Sequence, residues 1–345
     1  MAYWLSRLIM VIELTDTLLE YSLDEENRLI NSLTNLLISY YEGNHIIMAT
    51  PAICDVFASK LTDLRAKEAL NHVSKNLYHG YEVRWRIKVV LKNANELNYE
   101  MDYTRFEKSQ SVQPTFFICE NLADIDFYIY LTKYYHPTVE LRSINTPGGG
   151  DTTCEIFSYH RRRSCFTLAI VDSDIKFPGG RIGTTAEKCQ KKSKHFKANS
   201  CLIILPCHEV ENMLPHSFFI EFSSTAVKRF LQKLKICDKL DILKFYDIKN
   251  GIIKEHLENF PEYKLFAEEL YCSVYGKKKG KHSFQQFYDS KSSKDKIFPA
   301  INPKALDKFL KEKPQFYSDL FEPERREVCD IILTCLCARG DGPMC

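Results

Sequence analysis

This chain of 345 residues lacks a membrane span, a P-loop and any large excess of one charge. A bilayer crossing needs roughly twenty apolar residues in a row. The apolar stretch 1–12 is interrupted by Arg7 and followed by Glu13 and Asp16, and no small-residue cleavage site comes after it. The sequence therefore predicts no membrane segment and no signal peptide, and points to the cytoplasm. No Gly-x-x-x-x-Gly-Lys-Ser/Thr run occurs, so the chain encodes no ATPase of the usual P-loop type. Lys and Arg total 47 against 45 Asp and Glu, so any grip on a polyanion must come from local clustering. The 13 cysteines are scattered through apolar runs such as Phe117-Ile118-Cys119, without the dense framework of a small secreted domain. They read as reduced core thiols. There is no internal repeat.

What is present is an ordinary globular composition, 45% hydrophobic and 27% charged, long enough for two or three domains. Residues 1–112 read as helical. Leu29, Ile30, Leu33, Leu36, Leu37 and Tyr40 share one face, with Asp24 as the expected N-cap and Gly43 as the stop. Thr50-Pro51 opens a second helix whose face holds Ile53, Phe57, Leu61 and Leu64. A polar stretch, 107–114, reads as a linker. The pattern then alternates over 113–222: strand 115–120, helix 122–135, strand 138–143, a Gly-rich turn at 147–150, helix 151–162, strand 165–171, a lysine-rich helix and strand 201–205. Such alternation predicts an α/β fold, a largely parallel sheet with helices on both faces. Residues 223–345 return to helical spacing, as in Val227, Phe230, Leu231 and Leu234. A basic loop, 276–296, interrupts them with seven lysines against two aspartates.

The chemistry is carried by acidic residues at strand ends. The run Phe116 to Cys119 ends in Glu120, Phe166 to Val171 ends in Asp172-Ser173-Asp174, and Cys201 to Leu205 leads into Glu209-Val210-Glu211-Asn212. A parallel sheet with a site at one edge produces this pattern. Clustered carboxylates imply a hard dication, and Mg2+ (or Mn2+) is usually held by one or two of them plus water and substrate phosphate. Asp172 and Asp174 would point to the same side if extended geometry persisted through them. Asp124 also suits the helix dipole at the start of its helix, and Glu209 reads as a first-turn helix residue. Cys201, Cys207 and His208 look ligand-like, but Cys201 lies inside an expected strand and no fourth ligand stands at zinc-finger spacing. The glycines 148–150, without a following Lys-Ser/Thr, read as a turn. Lys188, Lys191, Lys192 and Lys194 have no acidic residue among them in sequence. They are either a solvated face or a set of phosphate contacts without base specificity.

The order and spacing of Glu120, Asp124, Phe127-Tyr128, the Gly-rich turn, Asp172-Ser173-Asp174 and Glu209-Val210-Glu211-Asn212 resemble the TOPRIM nuclease domain of OLD-like proteins from bacterial anti-phage systems. The resemblance spans roughly residues 113–222. It implies that Glu120 binds metal or acts as general acid/base, that Asp172 and Asp174 are metal ligands, and that Asp124 and Glu211 complete the metal positions. Asn121 stands where a glycine commonly follows the glutamate. OLD-like nucleases commonly work with an ATPase domain or a separate ATPase partner, which the resemblance implies here as well. The expected function is a metal-dependent nuclease on DNA or RNA, held in check within a partner complex or homo-oligomer. The competing reading is a non-catalytic TOPRIM-like scaffold in a nucleic-acid-associated complex. Nucleotidyl transfer of the primase kind is disfavoured, because no zinc-binding module is visible.

Overall fold

A computed structural model describes residues 11–76, 86–194, 197–276, 284–316 and 319–338. The chain divides into two compact units. Unit 1 comprises Met1–Ile170, Lys188–Ile203 and Arg326–Cys345, and unit 2 comprises Val171–Glu187 and Ile204–Arg325. Among the described residues no helix is long and apolar enough to cross a membrane.

The first hundred residues of unit 1 are not purely helical. They hold a four-stranded parallel sheet, β1 (Val11–Leu14), β2 (Ile46–Ala49), β3 (Arg86–Val90) and β4 (Glu100–Asp102), in the order β2-β1-β3-β4. Val11 pairs with both Ile46 and Arg86, so β1 is central. Ile46–Ala49 is apolar throughout and Val11–Leu14 holds a single polar residue, so neither shows an alternation of apolar and polar residues to read. Helix Leu23–Tyr41 lies between β1 and β2. Its cap is Ser22 rather than Asp24, because Glu25 at the third helical position accepts from the Ser22 N–H at 3.0 Å and closes a capping box. Thr50 caps helix Pro51–Ala58 as expected, accepting from the Ile53 N–H at 3.3 Å. That helix stops before Leu61, and a new one runs Leu64–Lys75 from an Asp63 cap. The core gathers Ile12, Leu33, Leu36, Phe57, Val89 and Phe106 with Phe166.

The second sheet of unit 1 follows the α/β alternation. Strand β5 (Thr115–Cys119) leads into helix Leu122–Tyr135. Next come β6 (Glu140–Leu141), β7 (Ser143–Pro147), helix Thr153–Arg162, β8 (Thr167–Val171) and β9 (Ser200–Ile204). The order is β7-β5-β8-β9, with β5 parallel to both β7 and β8. The strand expected at 138–143 forms as the two-residue β6, and the strand that joins this sheet is Ser143–Pro147. It is the edge strand, where polar residues and a terminal proline are tolerated. The stretch 107–114 forms 3-10 turns with Ser111 and Val112 buried, so it is packed rather than a free linker.

In unit 2 a buried 3-10 turn, Val210–Met213, precedes helices His216–Phe222 and Thr225–Ile236. The latter buries Val227, Phe230, Leu231 and Leu234 as its spacing predicted. Short strands β10 (Ile252–Ile253) and β11 (Lys296–Phe298) pair antiparallel. Helix Phe284–Asp289 falls inside the stretch 276–296 and β11 begins at its last residue, so it is not one continuous loop, because Phe284 and Tyr288 are apolar enough to be buried. Its run Lys277 to Lys281 lies outside the described residues. In unit 1, β12 (Cys337–Ala338) pairs antiparallel with β6.

Candidate metal centre and cleft

The candidate centre in unit 2 is built where the chain leaves two strands. After β8, Asp172 accepts the Val210 N–H at 3.0 Å. Ser173 is fully buried, and its hydroxyl donates to the Cys207 carbonyl. Asp174 adopts a left-handed backbone, φ 54, and its N–H donates to the His208 carbonyl at 2.9 Å. The extended geometry that would aim Asp172 and Asp174 to one side thus ends at Asp174, because the chain turns there to meet the segment after β9. Gly183 closes the loop by donating to the Ser173 carbonyl at 2.7 Å. A Cβ on Gly183 would lie 2.1 Å from Asp174 Oδ2, so only glycine leaves room for that carboxylate.

On the other side, the His208 N–H donates to the Lys244 carbonyl at 2.7 Å. Asn212 donates its side-chain amide to the carbonyls of Leu243 (2.6 Å) and Tyr246 (2.8 Å). These bonds fix the segment that carries Asp247 and Lys249. One side-chain ligand atom each from His208, Glu209 and Asp247 then lies within 4.8 Å of the other two. Lys249 Nζ sits 2.9 Å from Glu209 Oε2 and 3.1 Å from Glu211 Oε1.

Electrostatically this centre is short of positive charge. Glu209, Glu211 and His208 are all buried, and Glu209 Oε1, Glu211 Oε2 and His208 Nδ1 have no hydrogen-bond partner. Burial, then the neighbouring Glu209, pushes Glu211 up to about 7. Burial likewise raises Glu209 and lowers His208. Burial works against the Lys249 ammonium, but Glu211 and Glu209 outweigh it and raise that group. Buried carboxylate oxygens without donors, beside an imidazole nitrogen without a partner, fit a divalent cation. A mixed nitrogen and oxygen set suits Mn2+ as well as or better than Mg2+.

The expected site residues fall in both units. Asp172, Asp174 and Glu211 belong to unit 2 beside this centre. Glu120 and Asp124 belong to unit 1. The Glu120 carbonyl accepts the Gly149 N–H at 2.9 Å. Asp124 is buried at the third position of its helix, where Oδ2 accepts the Asn121 N–H at 3.1 Å. Asn121 is the N-cap, with φ −142, a conformation that needs no glycine. Glu209 is the N-cap of the 3-10 turn Val210–Met213, its N–H donating to Asn212 Oδ1 at 2.7 Å, and it also belongs to the group of three that could hold an ion. The lysines, all in unit 1, are partly neutralised by acids that sequence proximity does not reveal: Lys188 pairs with Asp151 at 3.7 Å and Lys192 with Glu155. Lys194 is exposed. Cys201 belongs to unit 1 and Cys207 with His208 to unit 2. Sequence reasoning missed Asp247 and Lys249, which no motif marks.

A cleft of about 770 Å³ in unit 2 opens beside the centre, with Asp174, Lys176, Arg181, His208, Asp247 and Phe260 among its walls. Comparison with protein-family models, with curated proteins and with solved structures finds no match for this chain.

Proposed function

We propose that the chain is a divalent-metal-dependent nuclease of the OLD-like TOPRIM type, hydrolysing phosphodiester bonds in DNA or RNA. The observation that carries this reading is the cluster of buried His208, Glu209 and Glu211 with half-buried Asp247, in which three ligand-type atoms are unpartnered and Lys249 pairs with both glutamates. His208, Glu209 and Asp247 would hold the ion, with Asp172 and Asp174 on the adjoining loop. A bound Mg2+ or Mn2+ supplies charge neutralisation at the phosphoryl oxygens and activation of a water. Lys249, kept protonated by its two glutamates, offers a fixed positive charge where negative charge develops. Glu211, near 7 in the metal-free protein, is matched to accept a proton at neutral pH. The resemblance also implies metal or acid/base roles for Glu120 and Asp124, a role as a toxic anti-phage effector, and restraint by an ATPase partner or a homo-oligomer.

One observation favours the alternative, a non-catalytic scaffold: Lys249 already bridges Glu209 and Glu211, as an ammonium does where no metal is needed. The two readings separate when purified protein is incubated with plasmid, single-stranded DNA and total RNA under Mg2+, Mn2+ or EDTA. The nuclease reading expects cleavage with metal and none in EDTA. It also expects loss of cleavage in Asp172→Asn/Asp174→Ala, where the amide oxygen introduced at position 172 can still accept from the Val210 N–H. Cleavage that survives EDTA or this double change refutes the metal centre, and no cleavage of any substrate leaves the scaffold.

A further inference from the structure

The cleft combines features that neither a metal centre nor a structural role requires. Phe260, at the N-terminal boundary of helix Pro261–Tyr275, is 49% exposed although it lines the cavity. Lys176 Nζ stands 6.0 Å from the centre of that ring. Lys176 and Arg181 make no ion pair among the described residues, whereas Lys188, Lys192, Lys244 and Lys249 all do. The loop carrying both cations is fixed by the Gly183 and Asp174 hydrogen bonds and by Phe177, which stacks on buried Tyr263 at 5.8 Å. His208, whose Nδ1 is unpartnered and whose side chain is buried, lines the same cavity.

We propose that this cleft receives one unpaired nucleotide of a polynucleotide strand, with its base against Phe260 and its phosphate between Lys176 and Arg181, beside His208 and Asp247. The proposal rests on the nuclease reading and names its substrate class as single-stranded. Three physical arguments carry it. Ligand cavities of about 300–1,000 Å³ enclose molecules of nucleotide size, and a base inside a duplex offers no free face to a side chain in such a cavity. An exposed aromatic ring beside unpaired cations is the combination that binds single strands, because every base has a π-face and every linkage a phosphate. An acidic peptide would meet the same two cations but would leave the ring without a planar partner.

The test measures fluorescence anisotropy of full-length protein with a labelled single strand, the same sequence as a blunt duplex, and free AMP as competitor, in EDTA and again with Ca2+. The wild type is expected to bind the single strand at least tenfold more tightly than the duplex. Phe260→Ala should weaken single-strand binding by about tenfold or more, the range of one lost base–aromatic stack. Phe260→Trp should restore it, and neither change should move duplex binding. Arg181→Ala and Lys176→Ala should each lower affinity and reduce the salt slope by about 0.7. Equal affinity for single strand and duplex, or a Phe260→Ala protein of unchanged melting temperature that binds like wild type, overturns the proposal. AMP competing as effectively as the strand also overturns it, in favour of a mononucleotide site. Cleavage without Phe260-dependent binding defeats this inference alone, and Phe260-dependent binding without cleavage defeats the nuclease reading alone.

Discussion

Glu211→Gln is expected to stabilise the metal-free protein at pH 8 and to leave it unchanged near pH 4. The carboxyl group is buried, one oxygen is 3.1 Å from Lys249 and the other has no partner. Burial first, and Glu209 second, raise its pKa from 4.5 to about 7. A raised carboxyl pKa means that the folded state holds a proton the unfolded state has released. Stability is therefore full below pH 4.5 and falls as pH rises through 7. At about 1.36 kcal/mol per unit, the loss by pH 8 is about 3 kcal/mol. Glutamine keeps the shape and cannot ionise, so it avoids that loss. At about 2–4 °C per kcal/mol, the variant should melt about 6 to 12 °C above wild type at pH 8. Differential scanning fluorimetry from pH 4 to pH 9, in EDTA and in Mn2+, measures this. Mn2+ at about 100 times its dissociation constant adds about 2.7 kcal/mol to a protein that binds it only when folded. That gain should be larger in wild type, where the ion relieves an unbalanced buried charge. A pH-independent difference between the two proteins, or an equal Mn2+ gain in both, refutes the account of this centre.

Three further outcomes follow from particular contacts. His45 is fully enclosed, donates to the Gln113 carbonyl at 3.0 Å and meets Phe166 edge-on at 4.9 Å. Burial lowers its pKa from 6.5 to about 4, so the stability of unit 1 should fall by about 3 kcal/mol as pH drops from 6.5 to 4, and His45→Gln should flatten that part of the melting profile. Gly183→Ala would set a Cβ 2.1 Å from Asp174 Oδ2, and a double-mutant cycle with Asp174→Ala should show about 1–3 kcal/mol of coupling by denaturant titration; additive effects would mean that the two residues do not meet. Glu120→Gln should retain nucleic-acid affinity but lose about 100- to 10,000-fold in cleavage rate if Glu120 acts as general acid or base, and wild-type turnover in that variant would remove it from the chemistry.

How far sequence alone reaches differs between the fold and the site, for physical reasons visible in single segments. Strands β5, β8 and β9 are legible because each is a short apolar run that cannot fill a helix. The N-terminal sheet is not legible, because Val11–Leu14 and Ile46–Ala49 are four residues each and merge with the apolar faces of neighbouring helices. Polar Ser143–Pro147 becomes a strand only because β5 offers it an edge, a tertiary effect that propensity does not record. The site divides in the same way. Glu209 and Glu211 are two residues apart and visible, but Asp247 and Lys249 are brought to them by contacts distant in sequence, the Asn212 amide on the carbonyls of Leu243 and Tyr246 and the His208 N–H on that of Lys244. Asn212 thus acts through backbone hydrogen bonds alone. Without it the segment that carries Lys249 would lose two of the bonds that hold it beside the glutamates. The asparagine of Glu209-Val210-Glu211-Asn212 is on this argument a positioning residue for the cation balance, and the acidic pair cannot be read apart from it.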